Sequence, residues 1–305
     1  MKLTIIIPVY NVSSLLRKCV ETIIDKKLGD YEVLLVDDGS TDGSAEICDS
    51  LAEKSTHIRV IHQKNGGLSS ARNTGLKRSH SEYVTFIDSD DFLEPGTLPR
   101  MMNILKAHPE YDILEYDAVI AYGSPHQHRL HLGRKEYTDM KEYWIGGKAY
   151  SHAYAWNKIY RRSLFSGIRF PQDKVFEDVF TLPLILEHAQ IVATTSHGTY
   201  YYCYNSKGIT ASAGTKELCD LLEAHKTYIE TYTDRADWST KSFAYYFAHV
   251  TNILLDTGIN DRYWTEIARN VPAVTSKLML MKYCGIGALR TINTLWHKIT
   301  PRKHF

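Results

Sequence analysis

The chain has 305 residues, with 36 Lys+Arg against 35 Asp+Glu, 44% hydrophobic and 11% aromatic residues. So much apolar content excludes a disordered chain, and a formal charge of +1 gives no reason to expect a nucleic-acid partner. The five cysteines (Cys19, Cys48, Cys203, Cys219, Cys284) are odd in number and form no CxxC pair, which argues against a disulfide framework or a zinc site and for a reducing compartment. The longest apolar runs, such as Ile5 to Val9, fall far short of the ~20 residues that cross a bilayer. The apolar segment after Lys2 breaks at Pro8, too soon for a signal peptide. A cytoplasmic protein is expected, peripheral to the inner face of the membrane if its tail binds lipid.

In chain order, Leu3 to Pro8, Tyr31 to Asp37, Ile58 to His62, Tyr83 to Ile87 and Ile113 to Ala121 read as strands, short and apolar between polar turns. Helices alternate with them. Leu15, Leu16, Cys19, Val20, Ile23 and Ile24 share one helical face, with Ser13 or Ser14 as cap. Asp42-Gly43-Ser44 opens a second helix, Ser69 or Ser70 a third, and Pro95 to Thr97 a fourth. This alternation predicts an α/β fold, a mostly parallel Rossmann-like sheet with helices on both faces. Ligands in such sheets bind beyond the carboxyl ends of the strands. From Tyr122 to Tyr137 the chain turns polar and His-rich (His126, His128, His131), which reads as a solvated insertion. Beyond it come two strands, Gln190 to Thr195 and Thr199 to Tyr204, and from about Thr215 a helical C-terminal region. The expected domains are therefore 1–214, with a first half of 1–121 and a second of 122–214, and 215–305.

The chemically loaded residues cluster at the predicted strand ends. After the second strand, Asp37 and Asp38 need hydrogen-bond donors, which a uracil N–H and ribose hydroxyls would supply; turn and capping chemistry accounts for Ser40 to Asp42 but less well for the paired aspartates. After the fourth, Asp88-Ser89-Asp90-Asp91 sets three carboxylates in four residues. In extended geometry Asp88 and Asp90 point the same way, which suits Mg²⁺ or Mn²⁺ on a diphosphate; an acidic strand-to-loop turn is the structural alternative. Lys64 to Asn73 is glycine-rich and opens a helix, so backbone can approach an anion there, with Arg72 as an added cation or an ordinary surface residue. Glu177-Asp178 begins another helix, where acidic residues are favoured by the helix dipole; flanking aromatics would also suit a general base.

Four motifs in this order, Ile5-Ile6-Ile7-Pro8-Val9-Tyr10-Asn11, Val36-Asp37-Asp38-Gly39-Ser40-Thr41-Asp42, Asn65 to Gly75, and Asp88-Ser89-Asp90-Asp91, with Glu177-Asp178 beyond them, resemble an inverting family 2 glycosyltransferase of the A-type fold, of the bacterial polysaccharide-assembly kind. The resemblance spans about residues 1–210. It implies a UDP-sugar donor, with Pro8, Tyr10, Asp37, Asp38, Arg72 and Ser89 at the nucleotide, Tyr10 stacking on the base. It implies Mn²⁺ or Mg²⁺ on Asp90 and Asp88, Asp178 as catalytic base, and Glu177 beside the acceptor. Trp156-Asn157-Lys158 resembles a segment in which an aromatic residue faces the sugars, so Trp156 is expected to stack on a sugar or to sit in the core. The arginine that often follows the tyrosine-rich strand is missing, and Lys207 is the substitute expected to clamp the diphosphate.

Residues 267–305 contain seven Lys/Arg and no acidic residue, interleaved with apolar side chains. They suit an anionic membrane surface, and with it a glycan acceptor on a polyprenyl diphosphate, or packing on the rest of the chain, or a homodimer contact. Two other functions compete: a nucleotide-sugar-binding protein without turnover, and a Mg²⁺-dependent receiver-like signalling module. In the second, Asn65-Gly66-Gly67 has no role. Release of UDP from UDP-sugars with Mn²⁺ separates the three.

Overall fold

The computed structural model describes residues 2–25, 27–206 and 208–299. It divides into two compact units, residues 1–140, 154–173 and 181–205, and residues 141–153, 174–180 and 206–305. Drawing the boundary at 214 from sequence leaves three segments, 141–153, 174–180 and 206–214, with the first unit; here they group with the C-terminal helices.

The first unit is built on a sheet of ten strands among the described residues: β1 Leu3–Val9, β2 Tyr31–Asp37, β3 Ile58–His62, β4 Tyr83–Phe86, β5 Phe92–Leu93, β6 Ile113–Tyr122, β7 His128–Leu130, β8 Lys135–Tyr137, β9 Lys158–Arg161 and β10 Val192–Cys203. The order is β3-β2-β1-β4-β9-β6-β10-β5, with β7 on β6 and β8 on β10. β3, β2, β1 and β4 run parallel, with Leu3 opposite both Tyr31 and Tyr83 and Asp37 opposite His62. β1 and β2 are buried along their whole length, as strands covered on both faces must be. β9 enters antiparallel between β4 and β6, so the sheet is parallel at one end and mixed at the other.

Helices α1 Leu16–Ile23, α2 Ser44–Lys54, α3 Gly67–Arg78 and α4 Thr97–Ala107 follow β1, β2, β3 and β5. Leu16, Cys19, Val20 and Ile23 of α1 pack with Ile5, Ile7, Val33 and Leu35 in one core. Gly75 permits α3 to lie close on β1, since a Cβ there would collide with Ile6 Cγ2. Helix α1 begins after Leu15 without the expected serine cap. Ser13 N–H donates instead to Asp42 Oδ2 and Val12 N–H to Ser44 Oγ, at 2.9 Å each, fastening the first βα loop to the second.

Two sequence readings change here. The His-rich stretch is exposed but not structureless, for it supplies β7 and β8, and His131 Nδ1 lies 2.8 Å from the buried Asp117 carboxylate. The two late strands are one, β10, whose register against β6 shifts between Thr195 and Thr199. The bulge masks the continuity in the sequence.

α5 Glu177–Leu186 has its first residues in the second unit and the remainder in the first. The second unit carries α6 Ile209–Ser212, α7 Thr215–Tyr232, α8 Arg235–Trp238, α9 Lys241–Thr257, α10 Arg262–Asn270 and α11 Ser276–Ile299. Phe243, Tyr246, Phe247 and Val250 of α9 are fully buried, and Trp144 stacks on Tyr228 of α7 at 4.8 Å. His225 is buried beside Tyr246, with Nδ1 3.1 Å from its hydroxyl, and burial pushes its imidazole well below the usual histidine range. Among the described residues no helix is long and apolar enough to cross a membrane.

Candidate active site

Parallel alignment of β1 to β4 places their carboxyl ends along one edge of the sheet, where most of the predicted residues lie. Pro8 is buried in β1, whereas Tyr10, just past its end, is 51% exposed. The loop holding Tyr10 is fixed by its neighbour: Asn11, at φ 52°, accepts from Thr41 N–H at 2.8 Å and donates its own N–H to Ser40 Oγ at 3.2 Å. The ring therefore stands free above a rigid turn.

Asp37 and Asp38 are both buried at the end of β2. Asp37 Oδ1 accepts from Ser40 N–H at 3.0 Å, and Oδ2 lies 2.8 Å from His62 Nδ1, whose Nε2 is 3.1 Å from Asp49. Burial favours the neutral acid at Asp37, but the bonds from His62 and Ser40 outweigh it and hold the carboxyl below its ordinary value. Asp38 accepts from Gln63 Nε2 at 2.6 Å and from the backbone N–H groups of Gly66 at 3.0 Å and Gly67 at 2.7 Å. The expectation that these carboxylates depend on a ligand for donors is thus corrected, since the chain supplies its own. Gly39, at φ 76°, makes the crossing possible, because a Cβ there would sit 2.9 Å from Asn65 N. Helix α3 starts at Gly67, two residues before the predicted serines, so the glycine loop and the helix N-terminus coincide.

The end of β4 is arranged differently. The strand stops at Phe86, and Asp91 N–H donates to Asp88 O at 3.1 Å, closing a turn. Alternation along an extended strand is therefore the wrong geometry for Asp88 and Asp90; the turn, not the pleat, brings them near each other. Asp88 Oδ1 accepts from Arg72 Nη2 at 2.8 Å. Arg72 is not a surface cation but is buried, packed on Phe86 and Phe170 with its guanidinium carbon 5.9 and 5.4 Å from the ring centres. Ser89 is buried in the same turn. Asp91 faces inward, accepting from Tyr200 Oη at 2.8 Å and Cys203 N–H at 2.7 Å, and burial with the charges of Asp90 and Asp88 pushes it well up. Asp90 accepts from Asn205 Nδ2 at 3.3 Å, and burial followed by repulsion from Asp88 raises its carboxyl above the usual range.

Two oxygen-ligand side chains close enough to repel suit a hard divalent cation that keeps positions open for phosphate oxygens and water. No cage of three or more His, Cys, Asp or Glu side chains occurs among the described residues. Asp88 and Asp90 fit an ion that takes one or two carboxylates.

Trp156 is not available to a sugar. It is 3% exposed, and Tyr154, Tyr200 and Tyr202 stack on it at 4.4, 4.2 and 5.5 Å. Its neighbour Lys158 is fully buried and paired with Glu115 at 2.8 Å, so this segment anchors β9 inside the sheet. Glu177 is buried and Asp178 half-buried in the first turn of α5, within the second unit. Lys207 lies outside the described residues. Sequence reasoning missed His62, Gln63, Tyr200 and Asn205. Parallel register could have found the first two, because the end of β3 must stand beside the end of β2.

A family model described as glycosyl transferase family 2 matches residues 4–169, more than half of the chain. The chain belongs to glycosyl transferase family 2. Over 194 residues it is 36% identical to glycosyltransferase GlyA of Streptococcus pneumoniae, a match taking in 58% of this chain and 27% of that protein. Over 221 residues it is 32% identical to EpsJ, an uncharacterised glycosyltransferase of Bacillus subtilis, covering 68% of this chain and 62% of that protein. The chain thus spans less than two thirds of the length of either relative. In fold it is similar to S. aureus TarS crystallised with UDP-GlcNAc, with a TM-score of 0.69 at 21% identity, over 98% of this chain and 92% of that one. The family 2 match takes in the parallel half of the sheet and both aspartate clusters.

Proposed function

We propose that this chain is an inverting glycosyltransferase that moves a sugar from a UDP-sugar to a hydroxyl of a glycan acceptor carried on a polyprenyl diphosphate, in cell-surface polysaccharide assembly. Family membership supports sugar transfer, and the likeness to a fold solved with UDP-GlcNAc supports a UDP-sugar donor. The observation that carries the reading is the turn at Asp88 to Asp91, where two carboxylates repel at the ligand-binding edge of the sheet and Asp90 is held up by burial and by Asp88.

Tyr10 is assigned to stack on uracil, over a loop edge that Asp37 and Asp38 make rigid. Arg72 holds Asp88 in place from the protein side. Bound at Asp90 and Asp88, Mg²⁺ or Mn²⁺ would neutralise the negative charge that grows on the departing diphosphate. Asp178 is assigned as the base that accepts the acceptor hydroxyl's proton, worth about 10²–10⁴-fold in rate. The purified chain with Mn²⁺ and a panel of UDP-sugars should release UDP. Asp178→Asn should keep donor affinity while losing transfer by about 10²–10⁴-fold. Equal loss of donor affinity and turnover contradicts the assignment.

The C-terminal stretch is assigned to an anionic membrane surface at the cytoplasmic face. Leu278, Met281, Ile286 and Leu289 of α11 are buried, whereas Met279, Tyr283, Ile292 and Leu295 are exposed, Tyr283 at 76%. Gly285, at φ 78°, breaks α11 into two helical stretches, and each packs some apolar side chains inward while leaving others exposed. Flotation with anionic vesicles, with and without residues after 266, checks this; equal binding disposes of it.

A further inference from the structure

Segment 174–178 leads into α5 through a conformation that side chains rarely adopt: Phe176 has φ 57°, and Asp173 before it φ 58°. For a bulky aromatic residue this is a costly backbone state that persists only where the surroundings enforce it. Two points of attachment to α7 are visible. Lys174 Nζ lies 3.0 Å from Asp220 Oδ1 and 2.8 Å from Glu223 Oε2, side chains three residues apart on one face of that helix. The backbone N–H of Val175 donates to the other oxygen of Asp220 at 3.3 Å. One carboxylate thus grips the loop by a side chain and by the adjacent main chain. The strained residue is also part of the turn that orients Asp178: Val179 N–H donates to Phe176 O and to Asp178 Oδ1, 3.0 Å each.

We infer that Lys174 and Asp220 are positioning residues for Asp178, a clasp from α7 that fixes the strained turn carrying the proposed base. The inference rests on the assignment of Asp178 made above. It gives the C-terminal helical unit a part in turnover through α7, and it accounts for a lysine and a carboxylate that neither the nucleotide nor the ion would need. A general base works only in a narrow geometry, and a displacement near 1 Å can cost about 10²-fold.

The test is steady-state transfer by Asp220→Ala, Lys174→Met and Lys174→Arg beside Asp178→Asn, with donor Kd and melting temperature measured on each. Asp220→Ala and Lys174→Met should lower kcat by about 10- to 100-fold, leave donor Kd and KM unchanged, and melt cooperatively. Lys174→Arg, which keeps the charge on the same carboxylates, should recover most of kcat. Lys174 is partly exposed, so its variants keep the fold should Asp220→Ala not. Wild-type kcat in folded Lys174→Met while Asp178→Asn is inactive overturns the clasp and spares the base. Full transfer by Asp178→Asn overturns both. A parallel fall in donor affinity and kcat, unrepaired by arginine, also overturns it, since that is what a general structural defect gives.

Discussion

Two pairs of aspartates stand at the same edge of one sheet and have opposite electrostatic fates. At the end of β2, Asp37 and Asp38 are buried, yet Ser40, His62, Gln63, Gly66 and Gly67 meet their oxygens with donors. At the end of β4, Asp88 and Asp90 lie close enough to repel; Arg72 answers Asp88, while Asp90 is left with a 3.3 Å bond from Asn205 and a raised carboxyl. A buried carboxylate supplied with donors serves as scaffold, and one left beside a like charge is where the proposed cation would bind. Composition cannot tell these apart, because the residue type is identical. The donors decide.

That contrast predicts stability effects of opposite sign. The largest effect is on Asp90→Asn, which should abolish transfer by at least about 10²-fold while raising the melting temperature in metal-free buffer, because a repelled, partly buried charge is removed. A lowered melting temperature would place Asp90 with the scaffold pair. Next, Asp38→Ala should destabilise the chain by about 1.5–3 kcal/mol, the worth of hydrogen bonds to a charged group. Urea unfolding reads that loss, and amide exchange should quicken at Gly66 and Gly67. Third, Mn²⁺ at about 100 times its Kd should stabilise the wild type by about 2.7 kcal/mol and leave Asp90→Asn unmoved, as differential scanning calorimetry can show.

The smallest effect concerns His62, whose imidazole is raised by its bonds to Asp37 and then Asp49. The folded state thus binds its proton more tightly than the unfolded chain. Its contribution is fully present below the ordinary histidine value and fades as pH rises through the elevated folded one. Half-exposed, the pair is worth no more than about 1 kcal/mol after screening. The buried His225 titrates in the opposite sense, depressed by burial, so that acid weakens the helical unit. Subtracting a His62→Gln melting curve from the wild type between pH 6 and 8 isolates the β2 end. A difference that grows with pH would reverse the assignment.

Much of the fold is legible because short strands between polar turns carry their own boundaries: Tyr31–Asp37 and Ile58–His62 fall where hydrophobic runs place them. Misplaced features have a common cause, reliance on local geometry where distant contacts govern. Ser13 and Ser14 look like caps, but Ser13 N–H and its neighbour Val12 are taken up by Asp42 and Ser44. Arg72 reads as a cation for the nucleotide or an ordinary surface one, but its helix is pressed on β1 through Gly75, and the side chain is buried against Phe86 and Phe170 and paired with Asp88. Trp156 looks like a sugar platform until Tyr154 beside it and Tyr200 and Tyr202 of β10 close over it.

Hydrophobic periodicity and turn chemistry by themselves determined the strand–helix alternation, and parallel strands then force Tyr10, Asp37, Asp38 and the Asp88 turn to one edge, because their carboxyl ends must align. Only the tertiary structure decided which carboxylates are satisfied, that β9 enters antiparallel between β4 and β6, and that Lys174 reaches across 46 positions of sequence to Asp220. Periodicity is a property of neighbours along the chain. The donors from Gln63, Gly66 and Gly67 to Asp38, the stack of Tyr200 on Trp156 and the pair of Lys174 with Asp220 join residues tens of positions apart, whose meeting no local pattern encodes.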